Sequence, residues 1–317
     1  MARVSAIIPV YNGAATIAEA VDSALAQSWR DLEVIVVDDG SSDATGAILN
    51  GYGDRIRVIA QRNRGPAAAR NAAARVATGE YLAFLDADDR WLATMIERCV
   101  AELENAPECV LAYTNLAVVD SGGRTLGTSL INGEAAHAPT LDEMLARMWP
   151  IMTSAVVMRR AVFDRAGGFC EEFTRASYED IYFWMLVREQ GPFRYLPEPM
   201  VLWRFSLFPG RLKSPGGNAA AGEMFDQITR ERWGVSARPL LNARVRAARS
   251  ILGYIGLLAM REGDARRARE AFGDALRIDP WRVRNYLRLM RTYLPTRVAR
   301  ALSGRTGRAP SECRPSQ

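Results

Sequence analysis

Tyr81-Leu82-Ala83-Phe84-Leu85-Asp86-Ala87-Asp88-Asp89 decides how this chain is read. The apolar run suits a strand buried on both faces, as in a parallel sheet. Three carboxylates in the next four positions stop it. The same pattern recurs on the N-terminal side. Val4 to Val10 is a largely apolar run that gives way to Tyr11-Asn12-Gly13, a turn signal. Val34 to Val37 stops at Asp38-Asp39-Gly40. Helical segments lie between these runs. Thr16 with Glu19 reads as a capping box, and Asp43 as the cap of a short helix. Gly65-Pro66 opens an alanine-rich helix that Gly79 closes. Ile56 to Ile59 alternates as a more exposed strand would, and Leu92 to Glu104 reads as helix. This strand–helix order implies a parallel sheet with helices on both faces.

In an open parallel sheet, ligands sit beyond the carboxyl ends of the strands. The ends at Pro9-Val10-Tyr11, Asp38-Asp39 and Asp86–Asp89 would then gather at one edge. One acidic pair alone is ordinary turn chemistry. Several carboxylates at one edge repel, and a cation or cationic substrate relieves them. The i, i+2 spacing of Asp86 and Asp88 can present both carboxylates to one Mg²⁺ or Mn²⁺, which takes oxygen ligands and substrate phosphates. That points to a metal-bridged diphosphate. No Gly-x-Gly-x-x-Gly follows the first strand and no Walker A stretch exists, which disfavours hydride transfer and P-loop ATPase chemistry.

The remaining chain is less regular. Val110–Thr114 and Ala155–Met158 read as short strands, and a helix begins at Glu179 or Asp180. Past the Gly/Pro-rich stretch 209–217 the pattern is helical, and residues 250–292 resemble one tetratricopeptide-like helix pair. The expected division is therefore 1–215, with a nucleotide-binding half to about 120 and an acceptor half over 121–215. A helical extension over 216–295 and a basic flexible tail over 296–317 would follow. At 317 residues, 49% hydrophobic and 24% charged, the chain is globular rather than fibrous or disordered. It has no apolar run of membrane-spanning length and reads as cytoplasmic, with reduced cysteines (Cys99, Cys109, Cys170, Cys313). The arginine-rich tail suggests a peripheral contact with anionic lipid at the inner face of the membrane. The net charge of +5 is dispersed and no nucleic-acid motif appears, so nucleic-acid binding is not expected. A homo-oligomer is left open.

Four stretches in order carry a resemblance: Ala6-Ile7-Ile8-Pro9-Val10-Tyr11-Asn12, Val36-Val37-Asp38-Asp39-Gly40-Ser41-Ser42-Asp43, Asn63-Arg64-Gly65-Pro66-Ala67-Ala68-Ala69-Arg70-Asn71 and Phe84-Leu85-Asp86-Ala87-Asp88-Asp89. They resemble the successive motifs of family 2 glycosyltransferases of GT-A fold, over residues 4 to about 205. The resemblance implies an α/β fold with a mixed, mainly parallel sheet flanked by helices, here with a helical C-terminal extension. It implies a nucleotide-sugar donor, in this family most often a UDP-sugar, and Mn²⁺ or Mg²⁺. Pro9, Tyr11 and Asp39, with Asp38 beside them, match positions around the nucleotide base; Arg70 matches an arginine near base and phosphates. Asp88 matches the metal ligand, and Asp86 a contact to ribose or to the metal through water.

Arg165-Ala166-Gly167-Gly168-Phe169 resembles the family's Gly-Gly-Phe stretch, and Ser177-Tyr178-Glu179-Asp180 its Glu-Asp motif. Asp180 then matches the general base of inverting members, with Glu179 beside it. Cys170 departs from the acidic residue common after Gly-Gly-Phe. The Gln-x-x-Arg-Trp motif of processive synthases is absent, which implies single addition to a glycan or lipid-linked acceptor. Arg204 and Trp203 are candidates for diphosphate or acceptor contact. His137, before Pro139, reads as a surface residue, and Phe183-Trp184 as core. The alternatives are a nucleotidyltransferase of similar fold and a non-catalytic binding protein using the C-terminal helices.

Overall fold

The computed structural model describes residues 3–119, 122–123, 125–127, 131, 136–147, 149–176, 178–204, 215–241, 253, 256–257, 259–260, 263–278, 281 and 283–293. The expectations for Ser177, the 209–214 part of the Gly/Pro break, Cys313 and the basic tail lie outside these residues. The chain divides into two compact units, Met1–Leu240 and Leu241–Gln317. The helix after the Gly/Pro stretch thus belongs to the first unit, whereas the sequence pattern put the boundary near 215.

The first unit is built on β1 (Val4–Val10), β2 (Leu32–Asp38), β3 (Arg57–Ala60) and β4 (Tyr81–Phe84), alternating with α1 (Ile17–Leu25), α2 (Thr45–Asn50) and α3 (Pro66–Val76). These strands pair in parallel, in the order β3-β2-β1-β4. Every residue of β1 and of β4 is buried, as continuous apolar runs between helix layers require. The register sets Val10 beside Asp38 and Ile7 beside Phe84, so the Tyr11-Asn12 end of β1 and the acid-bearing ends of β2 and β4 share one edge.

Beyond β4 the sheet changes direction. β5 (Arg90–Trp91), α4 (Met95–Asn105), β6 (Leu111–Val119), β7 (Thr125–Gly127), α5 (Leu141–Ala146), β8 (Val156–Arg159), α6 (Arg160–Ala166), α7 (Glu179–Arg188), β9 (Phe193–Arg204) and α8 (Pro215–Trp233) follow. β8 joins β4 antiparallel, and the order continues β8-β6-β9-β5, with β7 off the path beside β6. The result is the mixed sheet flanked by helices. Phe84, Phe163, Phe169, Phe183 and Trp184 pack edge-on and tilted beneath the strand-end edge, with Phe169 and Phe183 centroids 4.2 Å apart. Phe183 and Trp184 are core, as read.

Two local expectations change. Thr16 is the N-cap residue of α1 but makes no side-chain cap bond. The Glu19 carboxylate goes instead to Arg204 and Arg90, because a distant guanidinium outcompetes a local backbone N–H. A capping box does form at Thr140 and Glu143. Asp43 bonds Thr45 and the Ala14 N–H, stitching two loops, while Ala44 occupies the cap position of α2.

The second unit contains α9 (Ala265–Ile278) and α10 (Val283–Arg291). Its core joins Ala259, Ala268 and Phe272, with Met260 and Leu289 packed against them.

Candidate active site

The first strand end is a stitched pair of loops. Asn12 has φ +50° and spans the gap to the β2 loop: its Oδ1 accepts from Ser42 N–H at 2.8 Å, and its N–H donates to Ser41 Oγ at 2.9 Å. Gly13 N–H donates to Thr45 Oγ1. Pro9 is buried in β1, while Tyr11 stands at the tip, 54% exposed. Asp38 accepts from Ser41 N–H. Asp39, 3% exposed, accepts from Gln61 Nε2 (2.7 Å), Arg64 N–H (2.9 Å) and Gly65 N–H (2.7 Å). Those bonds fold residues 61–65 against the strand end. Gly40 between the loops has φ +81°, and a Cβ there would lie 3.0 Å from Asn63 N, so the fold needs glycine.

The Asp86–Asp89 loop is clamped by a residue the sequence analysis did not single out. Asp89 is 2% exposed. Its Oδ2 accepts from Ser154 Oγ at 2.5 Å, and its Oδ1 accepts from Arg204 N–H at 2.8 Å. Ser154 Oγ in turn accepts from Asp86 N–H at 3.0 Å. Arg204 Nε donates to the Asp88 carbonyl at 3.0 Å, and its Nη2 donates to Glu19 at 2.6 Å. Arg204, 5% exposed, thus acts as a strut between α1, the acidic loop and β9. Burial, then the charges of Asp88 and Asp86, push the Asp89 carboxyl well above the usual range. The partly exposed carboxylates of the loop are Asp86 and Asp88, the pair whose charge a divalent cation would relieve.

Arg70 connects the two halves of the chain. It projects from α3, 4% exposed, over the Phe169 ring at 5.2 Å. Its Nη2 bonds Asp86 Oδ1 at 2.6 Å, and its Nη1 lies 3.7 Å from Glu179 Oε1. Burial alone would depress its pKa; Asp86 and Glu179, with Asp180 contributing, more than reverse that and raise it. Its Nε and Nη1 are buried without a hydrogen-bond partner among the described residues. Next to it, Asn71 exchanges two bonds with the Phe169 backbone (2.8 and 2.9 Å). Gly168 has φ +79°, and a Cβ there would meet Asn71 Oδ1 at 2.7 Å, so this close approach requires glycine at 168. Arg64 adds an ion pair to Glu171 at 2.6 Å.

Asp180 stands at the first turn of α7, partly exposed, its Oδ1 accepting from Ile181 N–H at 2.8 Å. The aromatic cluster under α7 explains the placement: Phe183, Trp184 and Val187 anchor one face and leave Glu179 and Asp180 at the helix start. Glu179 is 6% exposed toward Arg70. A cavity of about 570 Å³ beside Gly167–Cys170 is lined by Tyr182, Leu186 and Glu189, the α7 face turned away from Asp180, so it is separate from this cluster. Trp203 is half-buried beside Val118. His137 is an exposed residue bonded to Glu143 at 2.9 Å.

Among the described residues no three His, Cys, Asp or Glu side chains form a ready metal cage. Asp88 and Asp86 supply two carboxylates on one loop. That donor set suits Mg²⁺ or Mn²⁺ completed by substrate phosphates and water.

Residues 5–167 match the family described as glycosyl transferase family 2. The succinoglycan biosynthesis protein ExoO of Rhizobium meliloti is 42% identical over 140 residues, 44% of this chain and 40% of that protein. The chain therefore spans less than half of that relative. An Escherichia coli relative, UDP-Glc:alpha-D-GlcNAc-diphosphoundecaprenol beta-1,3-glucosyltransferase WfaP, is 32% identical over 195 residues, 60% of this chain and 72% of that one. Among solved structures, TarS 1-349 of S. aureus in complex with UDP aligns with TM-score 0.53 at 19% identity, over 95% of this chain and 91% of that one. That likeness confirms the expected GT-A architecture.

Proposed function

As the chain belongs to glycosyl transferase family 2, we propose that it moves a single sugar from a UDP-sugar to a hydroxyl of a glycan or lipid-linked acceptor, with inversion. Membership decides against a nucleotidyltransferase. The observation that carries the reading is Arg70: one buried guanidinium bonds Asp86 on the donor side and pairs with Glu179, the neighbour of Asp180, on the other. The UDP-glucose and diphosphoundecaprenol in the WfaP name support the donor and acceptor classes.

In this reading Tyr11, Pro9 and the Asp38–Asp39 loop hold the base. Asp88, with Asp86, would hold Mn²⁺ or Mg²⁺, which when bound offsets the charge of the leaving diphosphate. Arg70 holds Asp86 in place. Asp89, Ser154 and Arg204 fix the loop that carries Asp86 and Asp88. Asp180 takes the proton of the attacking hydroxyl; a positioned base is worth about 10²–10⁴-fold. One displacement at the anomeric carbon inverts it.

The test is UDP release from a panel of nucleotide sugars with Mn²⁺ or Mg²⁺, beside UDP binding by calorimetry. The proposal predicts turnover with a UDP-sugar, and loss of metal-dependent UDP binding in Asp88→Ala. Unchanged metal-dependent binding in that variant contradicts the metal assignment.

A further inference from the structure

α10 presents its apolar side to water. At 100° per residue, Val283, Tyr286, Leu287, Met290 and the following Tyr293 fall within an arc of about 120°. Their exposures are 68, 46, 54, 66 and 71%. Trp281, just before the helix, is 90% exposed. The inward side instead carries Asn285 and Thr292, 2% and 6% exposed. Thr292 is satisfied there, its hydroxyl donating to the Leu289 carbonyl and its own carbonyl accepting from Arg269. This is the reverse of an ordinary surface helix, whose apolar stripe faces the core. A contiguous outward stripe of this kind marks an interaction surface.

We propose that this face docks on a bilayer rich in anionic lipid, with the helix lying flat at the boundary of headgroups and acyl chains. Charge selects this partner. Arg284 and Arg291 fall together along one flank of the stripe, and 281–293 contains no Asp or Glu. Arginine stems reach from an apolar surface up to phosphate. The aromatic residues are the types that settle at headgroup level: Trp281 at one end, Tyr286 midway, Tyr293 at the other. An apolar face with a cationic edge is the pattern of helices that lie in the membrane interface. Two alternative covers are less complementary. A second copy face to face would bring two sets of arginines together. The following residues, 294–317, carry five arginines against Glu312 and so have the same sign. The inference stands on this helix and is independent of the sugar-transfer reading.

The full chain is sedimented with phosphatidylcholine vesicles, with or without phosphatidylglycerol. Light scattering without vesicles reports self-association, and thermal melting checks folding. Expected is binding to the anionic vesicles, about tenfold or more stronger than to phosphatidylcholine alone, and weakened by salt. Leu287→Gln with Met290→Gln should weaken it about tenfold or more at unchanged melting temperature. Arg284→Gln with Arg291→Gln should remove most of the lipid-charge preference. Binding that is absent, indifferent to lipid charge, or unchanged by the Leu287/Met290 pair overturns the proposal. A dimer in solution that this pair dissolves, without vesicle binding, assigns the face to a second copy instead.

Discussion

The two sides of the candidate site are built on different terms. At the strand ends, carboxylates are bound into the backbone: Asp39 accepts three hydrogen bonds, and Asp89 two, each from a residue distant in sequence. At the start of α7, the bond to Asp180 comes from the N–H of its own neighbour. Under the proposed function this suits both sides: a nucleotide cradle gains from fixed loops, whereas a proton acceptor needs an oxygen that a substrate hydroxyl can reach. Arg70 sits where the two meet. The difference predicts that substitutions on the strand-end side cost folding, and that substitution of Asp180 costs turnover alone.

Arg70→Ala should show the largest loss of stability. It leaves Asp86 and Glu179 without their shared cation, and breaking such a pair costs about 3 kcal/mol or more. Denaturant melts measure this, and Arg70→Lys should recover only part, since a single ammonium cannot span both carboxylates. An unchanged midpoint would remove Arg70 from its bridging place. Ser154→Ala comes next, at about 1–2 kcal/mol, because Asp89 and the Asp86 N–H both lose a buried partner. It should also raise KM for the donor more than it lowers kcat, since the loop that carries Asp86 and Asp88 loosens.

The smallest effect lies away from the site. Glu33 accepts from Ser5 Oγ, Thr78 N–H and Thr78 Oγ1. Burial pushes its carboxyl up, but the hydroxyls of Ser5 and Thr78, the Thr78 N–H and Arg3 outweigh this and hold it below the ordinary 4.5. A lowered folded-state pKa stabilises the protein above 4.5, and that contribution fades as pH falls through the lowered value. Glu33→Gln should therefore cost about 1 kcal/mol at neutral pH. The gap to the parent should close in acid, as read from melting midpoints against pH.

The strand-end side was legible because its signals are local. A buried parallel strand is a run of apolar residues, and its end is an Asp or Asn-Gly turn in the same stretch. β1, β2 and β4 fall where the pattern put them, within a residue or two. What was not legible depends on distant partners. Glu19 leaves its capping box for Arg204, 185 residues away. Asp89 reads as one more turn acid until Ser154 and Arg204 close on it. The two-residue β5 exists only because β9 pairs with it. In α10 the helical pattern was visible, yet which face met water was not, since that is set by the packing of Leu289 on Phe272 and its neighbours.

The most direct test of the account compares Asp180→Asn with the parent for UDP affinity, melting temperature and single-turnover sugar transfer. The account predicts equal affinity and melting, with transfer about 10²–10⁴-fold slower. Equal transfer rates, or a variant that loses UDP binding along with turnover, would contradict it.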